Sequence, residues 1–348
     1  GNKTNLSFDQ IGFVYSNRLG RSSFVNFGFN YHKSRNFNHI LKAAGRMAAG
    51  ASQNKMSYNK GVAAAENGWD FVEIKDDEVI SNDLAYSVTD YLYYNTILYN
   101  PLIDPNGKDI YHSERYMMDR ASKGYIGEYD FNISGNINDR VYLGLTVGLH
   151  DVHYKSYSEY AELRPNHEGL GGTLLEDSRE ITGLGFDLKA GVIFRPFENS
   201  PFRIGMSIAT PTWYDLTTRN YTTLLIDDTN ANPETYRGLG SLSLSESYDF
   251  KLYTPWRFGL SLGHTIGNYL ALGASYEYAD YGNLDSRVND GYDYYGNETS
   301  VSDEWMNEHT KNTLKGVSTL KLGAEFKPDP AIAVRLGFNY VSPMYEKN

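Results

Sequence analysis

Ten charged residues stand at alternate positions in runs of otherwise small or polar residues: Glu128, Asp130, Asp187, Lys189, Arg203, Arg257, Glu277, Lys321, Glu325 and Arg335. Both signs are present, and two chemistries follow. Gathered in one interior, they would form a paired network, because an unpartnered buried charge is costly. Alternatively, one of Arg203, Arg257 and Arg335 could hold a carboxylate head group through two parallel hydrogen bonds. The network is the more economical reading, and nothing in the residues selects one arginine.

Other chemistries fail on spacing. His150 and His153 look like a metal pair, but three residues along a strand place them on opposite faces. Asp104, Asn106 and Asp109 in IDPNGKD resemble a calcium loop only faintly, since Asp-Pro-Asn-Gly is an ordinary turn sequence. There is no Gly-x-Ser-x-Gly elbow, His-Glu-x-x-His pair or phosphate loop. With no cysteine among 348 residues, disulfides, zinc–cysteine sites and thiol catalysis are excluded. A formal charge of -11 argues against nucleic acid as a partner. We therefore expect no enzyme, no cofactor and no bound metal.

The elements that position the ten charges are strands. Val25, Phe27, Phe29 and Tyr31 alternate with Asn26, Gly28, Asn30 and His32; Tyr129, Phe131 and Ile133 alternate with Glu128, Asp130, Asn132 and Ser134. Val141, Leu143, Leu145, Val147 and Leu149 oppose Tyr142, Gly144, Thr146, Gly148 and His150, and Leu184 to Phe194 repeats the pattern against Gly185, Asp187, Lys189 and Gly191. So do Phe202 to Ile208 against Arg203, Gly205 and Ser207, Leu320 to Phe326 against Lys321, Gly323 and Glu325, and Ile332 to Tyr340 against Arg335, Gly337 and Asn339.

With LSFDQIGFVYS near the start, this makes about ten strands long enough to cross a bilayer at a tilt. Short turns near Asn17–Arg21, Asn136–Asp139, Pro196–Pro201, Ile266–Tyr269 and Pro328–Pro330 alternate with long polar excursions near residues 34–123, 156–178, 217–246 and 283–315. Short connections on one side and long ones on the other mark an outer-membrane barrel.

No apolar run is long enough for a transmembrane helix, and mean hydropathy is -0.51. A soluble antiparallel sandwich is the competing fold. It has no use for glycines on its solvent face, where they weaken strands and pack against nothing. The interior of a barrel does, because inward side chains converge. The expected fold is therefore all-β, an antiparallel transmembrane β-barrel.

The stretch WRFGLSLGHTIGNYLALGASYEYADYG, residues 256–282, fixes a register. A two-residue turn at Gly267-Asn268 would set Phe258 against Glu277 and mix the faces. A three-residue loop, Gly267–Tyr269, pairs Phe258 with Tyr278, Leu260 with Tyr276 and Leu262 with Ala274, keeping one face apolar. That face should meet lipid, with Trp256 and Tyr278 near the outer interface and Tyr269 near the inner one.

The excursion at residues 34–123 holds LAYSVTDYLYYNTILYN, in which Leu92, Tyr93, Tyr94, Ile97, Leu98 and Tyr99 crowd together. One reading is an outer surface that captures a hydrophobic ligand; the other is a loop packing on a small core of its own.

NFGFNYHKSRNFN, YDFNISGNINDRVYLGLTVGLHDV, GLGFDLKAGVIFRPFENSPFRIGMSIATPTWYDL, YTPWRFGLSLGHTIGNYLALGASYEYADYGN and TLKLGAEFKPDPAIAVRLGFNYVSPMY, in this order, resemble the bacterial FadL/TodX outer-membrane transport family for hydrophobic compounds and long-chain fatty acids, in its branch labelled haemin receptors. Thr254-Pro255-Trp256, Thr210-Pro211-Thr212 and Ser342-Pro343 carry much of the likeness. The resemblance implies a fourteen-stranded barrel with an N-terminal hatch. Residues 1–348 are expected to supply about ten of those strands as one domain, without the hatch and closing strands. It further implies passive uptake of small hydrophobic or amphipathic molecules such as long-chain fatty acids, in the bacterial outer membrane, by a monomer in contact with outer-membrane lipids. A soluble or surface-exposed β-rich protein that binds haem or lipid is the alternative.

Overall fold

The computed structural model describes residues 8–47, 52–66, 73–75, 78–80, 87–94, 113–163, 170–228, 241–329 and 331–347. In chain order the elements are β1 (Gln10–Arg18), β2 (Phe24–Asn36), β3 (His39–Arg46), α1 (Gln53–Glu66), β4 (Glu73–Lys75), β5 (Glu78–Ile80), α2 (Val88–Tyr94), β6 (Arg115–Ile137), β7 (Val141–Leu163), β8 (Leu170–Phe194) and β9 (Arg203–Ala209). They continue with β10 (Trp213–Asp228), β11 (Ser241–Tyr253), β12 (Arg257–Ile266), β13 (Leu270–Asp280), a 3₁₀ turn (Tyr281–Asn283), β14 (Asp285–Tyr292), β15 (Glu298–Ser302), α3 (Glu304–Thr313), β16 (Gly316–Asp329) and β17 (Ile332–Val341).

Fifteen strands form one antiparallel sheet, whose backbone path of ten runs β1-β2-β6-β7-β8-β9-β12-β13-β16-β17. The remaining five extend that path at one end. β10 follows β9 and pairs with β8 and β11; β3 follows β2 and pairs with β6; β14 follows β13 and pairs with β11. The ten alternating segments are thus the ten members of the path. No helix among the described residues is long and apolar enough to cross a membrane.

The β12–β13 register is the one its residues predict. Phe258 pairs with Tyr278, Leu260 with Tyr276 and Leu262 with Ala274, and Ile266–Leu270 closes the three-residue loop. Gly267 takes φ 52°, a left-handed conformation that glycine adopts without a Cβ penalty.

The long excursions differ from expectation, because most of their length is strand. β6 and β7 each run 23 residues and β8 runs 25, and β6 and β7 stay paired from Ile137–Val141 to Arg115–Leu163. Beyond the alternating segments both faces carry polar residues, so the period-two signal fades while the backbone ladder continues.

Two prolines punctuate the wall at one level. Pro211 separates β9 from β10, Pro255 separates β11 from β12, and neither can donate to a ladder. Neighbouring threonines repair the gap. Thr212 N–H donates to Thr254 Oγ1 at 2.8 Å, Thr254 N–H to the Thr212 carbonyl at 3.2 Å, and Leu188 N–H to Thr210 Oγ1 at 3.0 Å.

Candidate functional site

Two adjacent rows of β-partners define the wall. In the first, Leu143, Val192, Met206, Leu260, Tyr276, Leu320 and Tyr340 are successive partners across seven strands. Their side chains are not covered by protein: Leu143 is 51% exposed, Met206 58% and Leu260 49%. In the second, Asn26, Ser134, Gly144, Gly191, Ser207, Gly259, Glu277 and Thr319 are successive partners across eight strands. All eight line one cavity of about 780 Å³, which Leu143, Val192, Met206, Leu260 and Tyr276 of the first row also border. The sheet is therefore curved; its polar face is the covered one, since along β7 Gly148 and His150 are buried while Leu143, Leu145 and Leu149 are exposed.

A Cβ on Gly205 would strike Ser261 Oγ, and one on Gly259 would strike Ser207 Oγ, whereas Gly263, Gly273 and Gly323 border open space.

The ten charges fall into three groups. Glu128, Asp130, Asp187, Lys189 and Arg257 converge at the outer end, beside a second cavity of about 750 Å³. Glu128 lies nine residues before the end of β6, about 25 Å from the turn at the usual rise and tilt, which is the height of a membrane-crossing band. Glu277 and Lys321 line the first cavity at mid-height. Near the turns, Arg335 Nε donates to Glu325 Oε2 at 2.6 Å, and Arg203 lies over the Tyr142 ring at 5.5 Å.

The outer group is a network of paired charges. Lys189 Nζ bonds Glu128 Oε1, reaches Asp130 Oδ1 at 3.0 Å and stands 3.8 Å from Asp187 Oδ1. Arg257 Nη2 is 3.6 Å from Asp187 Oδ2, to which Thr212 Oγ1 also donates at 3.3 Å. Asp187 is wholly buried and Glu128 nearly so.

Two histidines belong to this group and were not among the predicted site residues. His32 lies 3.6 Å from both Glu128 Oε2 and Asp130 Oδ2. His150, 5% exposed, lies 3.8 Å from Glu128 Oε2 and 3.2 Å from Asp187 Oδ2. Strand parity would have found them, since both alternate with the small residues of the polar face. Glu128, His150 and Asp187 can each bring a ligand atom within 4.8 Å of the others, as can His32, Glu128 and Asp130. His153 stays apart on the opposite face, paired with Asp151 at 2.9 Å.

Of the crowded residues of the first excursion, two are described in full. Leu92 and Tyr93 are fully buried with Leu224, and Val88, Tyr91, Leu175, Ile226, Leu242 and Leu244 pack around them. This core fastens α2 to the outer ends of β8, β10 and β11. Tyr93 Oη lies 3.2 Å from Thr173 Oγ1, and burial, reinforced by Glu162, pushes its hydroxyl above the ordinary tyrosine range. Burial likewise pushes Asp90 upward, but hydrogen bonds from Lys60 (2.6 Å), Ser57 (2.6 Å) and Ser87 (2.8 Å) outweigh it and hold the carboxyl below its usual value. Contact between a ligand and Leu92 or Tyr93 would require α2 to lift. Tyr94 is the last residue of α2; Ile97, Leu98, Tyr99 and the IDPNGKD segment lie outside the described residues.

The fold and lumen define an antiparallel wall with an apolar exterior and a polar, glycine-lined interior. Solved structures similar to the chain are hydrocarbon channels. The Ralstonia pickettii toluene transporter TbuX is 14% identical over 97% of this chain and 69% of its own, with TM-score 0.44. The Pseudomonas putida toluene transporter TodX is 11% identical over 97% and 70%, with TM-score 0.41, and the monoaromatic hydrocarbon channel CymD is 9% identical over 96% and 73%, with TM-score 0.39. Neither a protein-family model nor a curated relative matches the chain.

Proposed function

We propose that the chain forms the wall of an outer-membrane channel for passive uptake of small hydrophobic or amphipathic molecules. The two adjacent rows carry this reading. A soluble sheet hides a large apolar row against a second layer; here Leu143, Met206 and Leu260 lie in the open while the opposite, polar face is covered, with Glu128, His150 and Asp187 buried. Lipid is the solvent that suits the first row and water or cargo the second.

Within that class the charges favour uncharged cargo over fatty acids. Three carboxylates face two cations, Lys189 and Arg257, in the outer group. Each arginine proposed for a head group is engaged: Arg257 with Asp187, Arg335 with Glu325 and Arg203 with Tyr142. At Arg257 and Arg335 an anionic head group would have to displace a carboxylate already in place.

Uptake into proteoliposomes holding the full-length protein tests both levels. We expect toluene to enter faster than through protein-free membranes, palmitate to gain less and sucrose to gain nothing. Equal acceleration of sucrose would reject the hydrophobic-channel reading. Detergent-free solubility as a monomer would favour the soluble binding protein instead.

A further inference from the structure

We propose that Glu128, His150 and Asp187 form a divalent metal site, suited to Zn²⁺, at the outer end of the lumen. The argument starts from which atoms of these side chains are already held. Lys189 holds Glu128 through Oε1, leaving Oε2 turned toward His150. Thr212 and Arg257 hold Asp187 through Oδ2, leaving Oδ1 buried without a hydrogen-bond partner among the described residues. Tyr214 Oη stands 3.5 Å from His150 Nδ1, and Nε2 is likewise buried and without a hydrogen bond, its 3.2 Å approach to Asp187 Oδ2 being misaligned.

His150 Nε2 and Asp187 Oδ1 are thus the two buried atoms of the trio without a hydrogen bond, with Lys189 Nζ 3.8 Å from the second; Glu128 Oε2 lies 3.8 Å from His150 Nδ1 and 3.6 Å from His32 Nε2. The free atoms of His150 and Asp187 border the same gap. A Cβ on Gly148 would collide with Asp187 Oδ1 and come within 3.4 Å of His150 Nε2, so the absent side chain leaves space between them.

One imidazole nitrogen and two carboxylate oxygens are a zinc donor set, with a fourth position left for water.

The test is calorimetric titration of the metal-stripped, detergent-solubilised full chain with zinc chloride at neutral pH. One saturable site per chain is expected. Asp187→Asn and Gly148→Ala should each weaken it by about tenfold or more, and His153→Ala, a surface control, should leave it unchanged. Gly148→Ala keeps all three ligand residues, but its Cβ must push Asp187 Oδ1 aside; gel migration before and after heating checks that each variant is folded. No saturable site in the parent, or undiminished affinity in folded Gly148→Ala, would overturn the proposal. Should Asp187→Asn fail to fold, the Gly148→Ala titration decides alone.

Discussion

Within the apolar band the β12–β13 hairpin separates its faces residue by residue, with Leu260 and Tyr276 outside and Ser261 and Ser275 inside. In the outer extension of β7, β8 and β10 polar side chains occupy both faces. Tyr157 there bonds Glu159 and Glu176, Thr222 bonds Asp177, and Arg179 bonds Asn220. The backbone ladder is the same in both regions. On the proposed reading what changes is the medium: lipid forbids a polar outward face, and water does not. Stability then changes source, from lipid contact around the band to a protein core at α2.

The largest effect should come from that core. Leu92→Ala should cost about 2–5 kcal/mol of local stability, read as faster hydrogen exchange and proteolysis at α2, with the membrane-level strands unaffected. Equal loss of protection in β12 and β13 would show that the two regions are not separable.

Next is the band itself. Leu260→Arg should weaken insertion by about 2–4 kcal/mol near the bilayer midplane, measured by folding into lipid vesicles. Ser261→Arg, one residue away, should cost much less, because it enters the lumen.

Acid should act first on the outer extension. Folding holds Asp90 below its unfolded value of 3.8, so its contribution is fully present above that pH and is lost as pH falls through the folded-state value. Asp90→Asn should abolish this acid dependence of α2 docking, followed by proteolysis across a pH series. The smallest effect is expected at Tyr157→Phe, about 0.5 kcal/mol or less, since its hydrogen bonds are open to water.

Legibility followed the same division. The ten-strand path, the polar face and the β12–β13 register could be read because lipid imposes alternation on Phe258, Leu260 and Leu262. The long ladders of β6, β7 and β8 beyond the band could not, because Tyr157 and Glu159 carry no such constraint. Of the site, the charged residues were legible one by one; their division into three groups was not, since it depends on how far the sheet curves and which strands meet. His32 and His150 stand on the polar set by parity, yet alternation alone gives neither their closeness to Glu128 nor the burial of His150. Leu92 and Tyr93 showed the limit of composition alone, which cannot tell a greasy capture surface from a greasy core.

The central claim is that one face of this wall meets lipid and the other a lumen. Because the chain has no cysteine, single cysteines carrying a spin label can be placed one at a time from Arg257 to Gly263 and from Ala271 to Tyr278 in the reconstituted full-length protein. Collisions with oxygen should peak at residues 258, 260, 262, 272, 274, 276 and 278, and collisions with a water-soluble nickel chelate at the alternate positions. Nickel access at every position, without the two-residue period, would contradict the account.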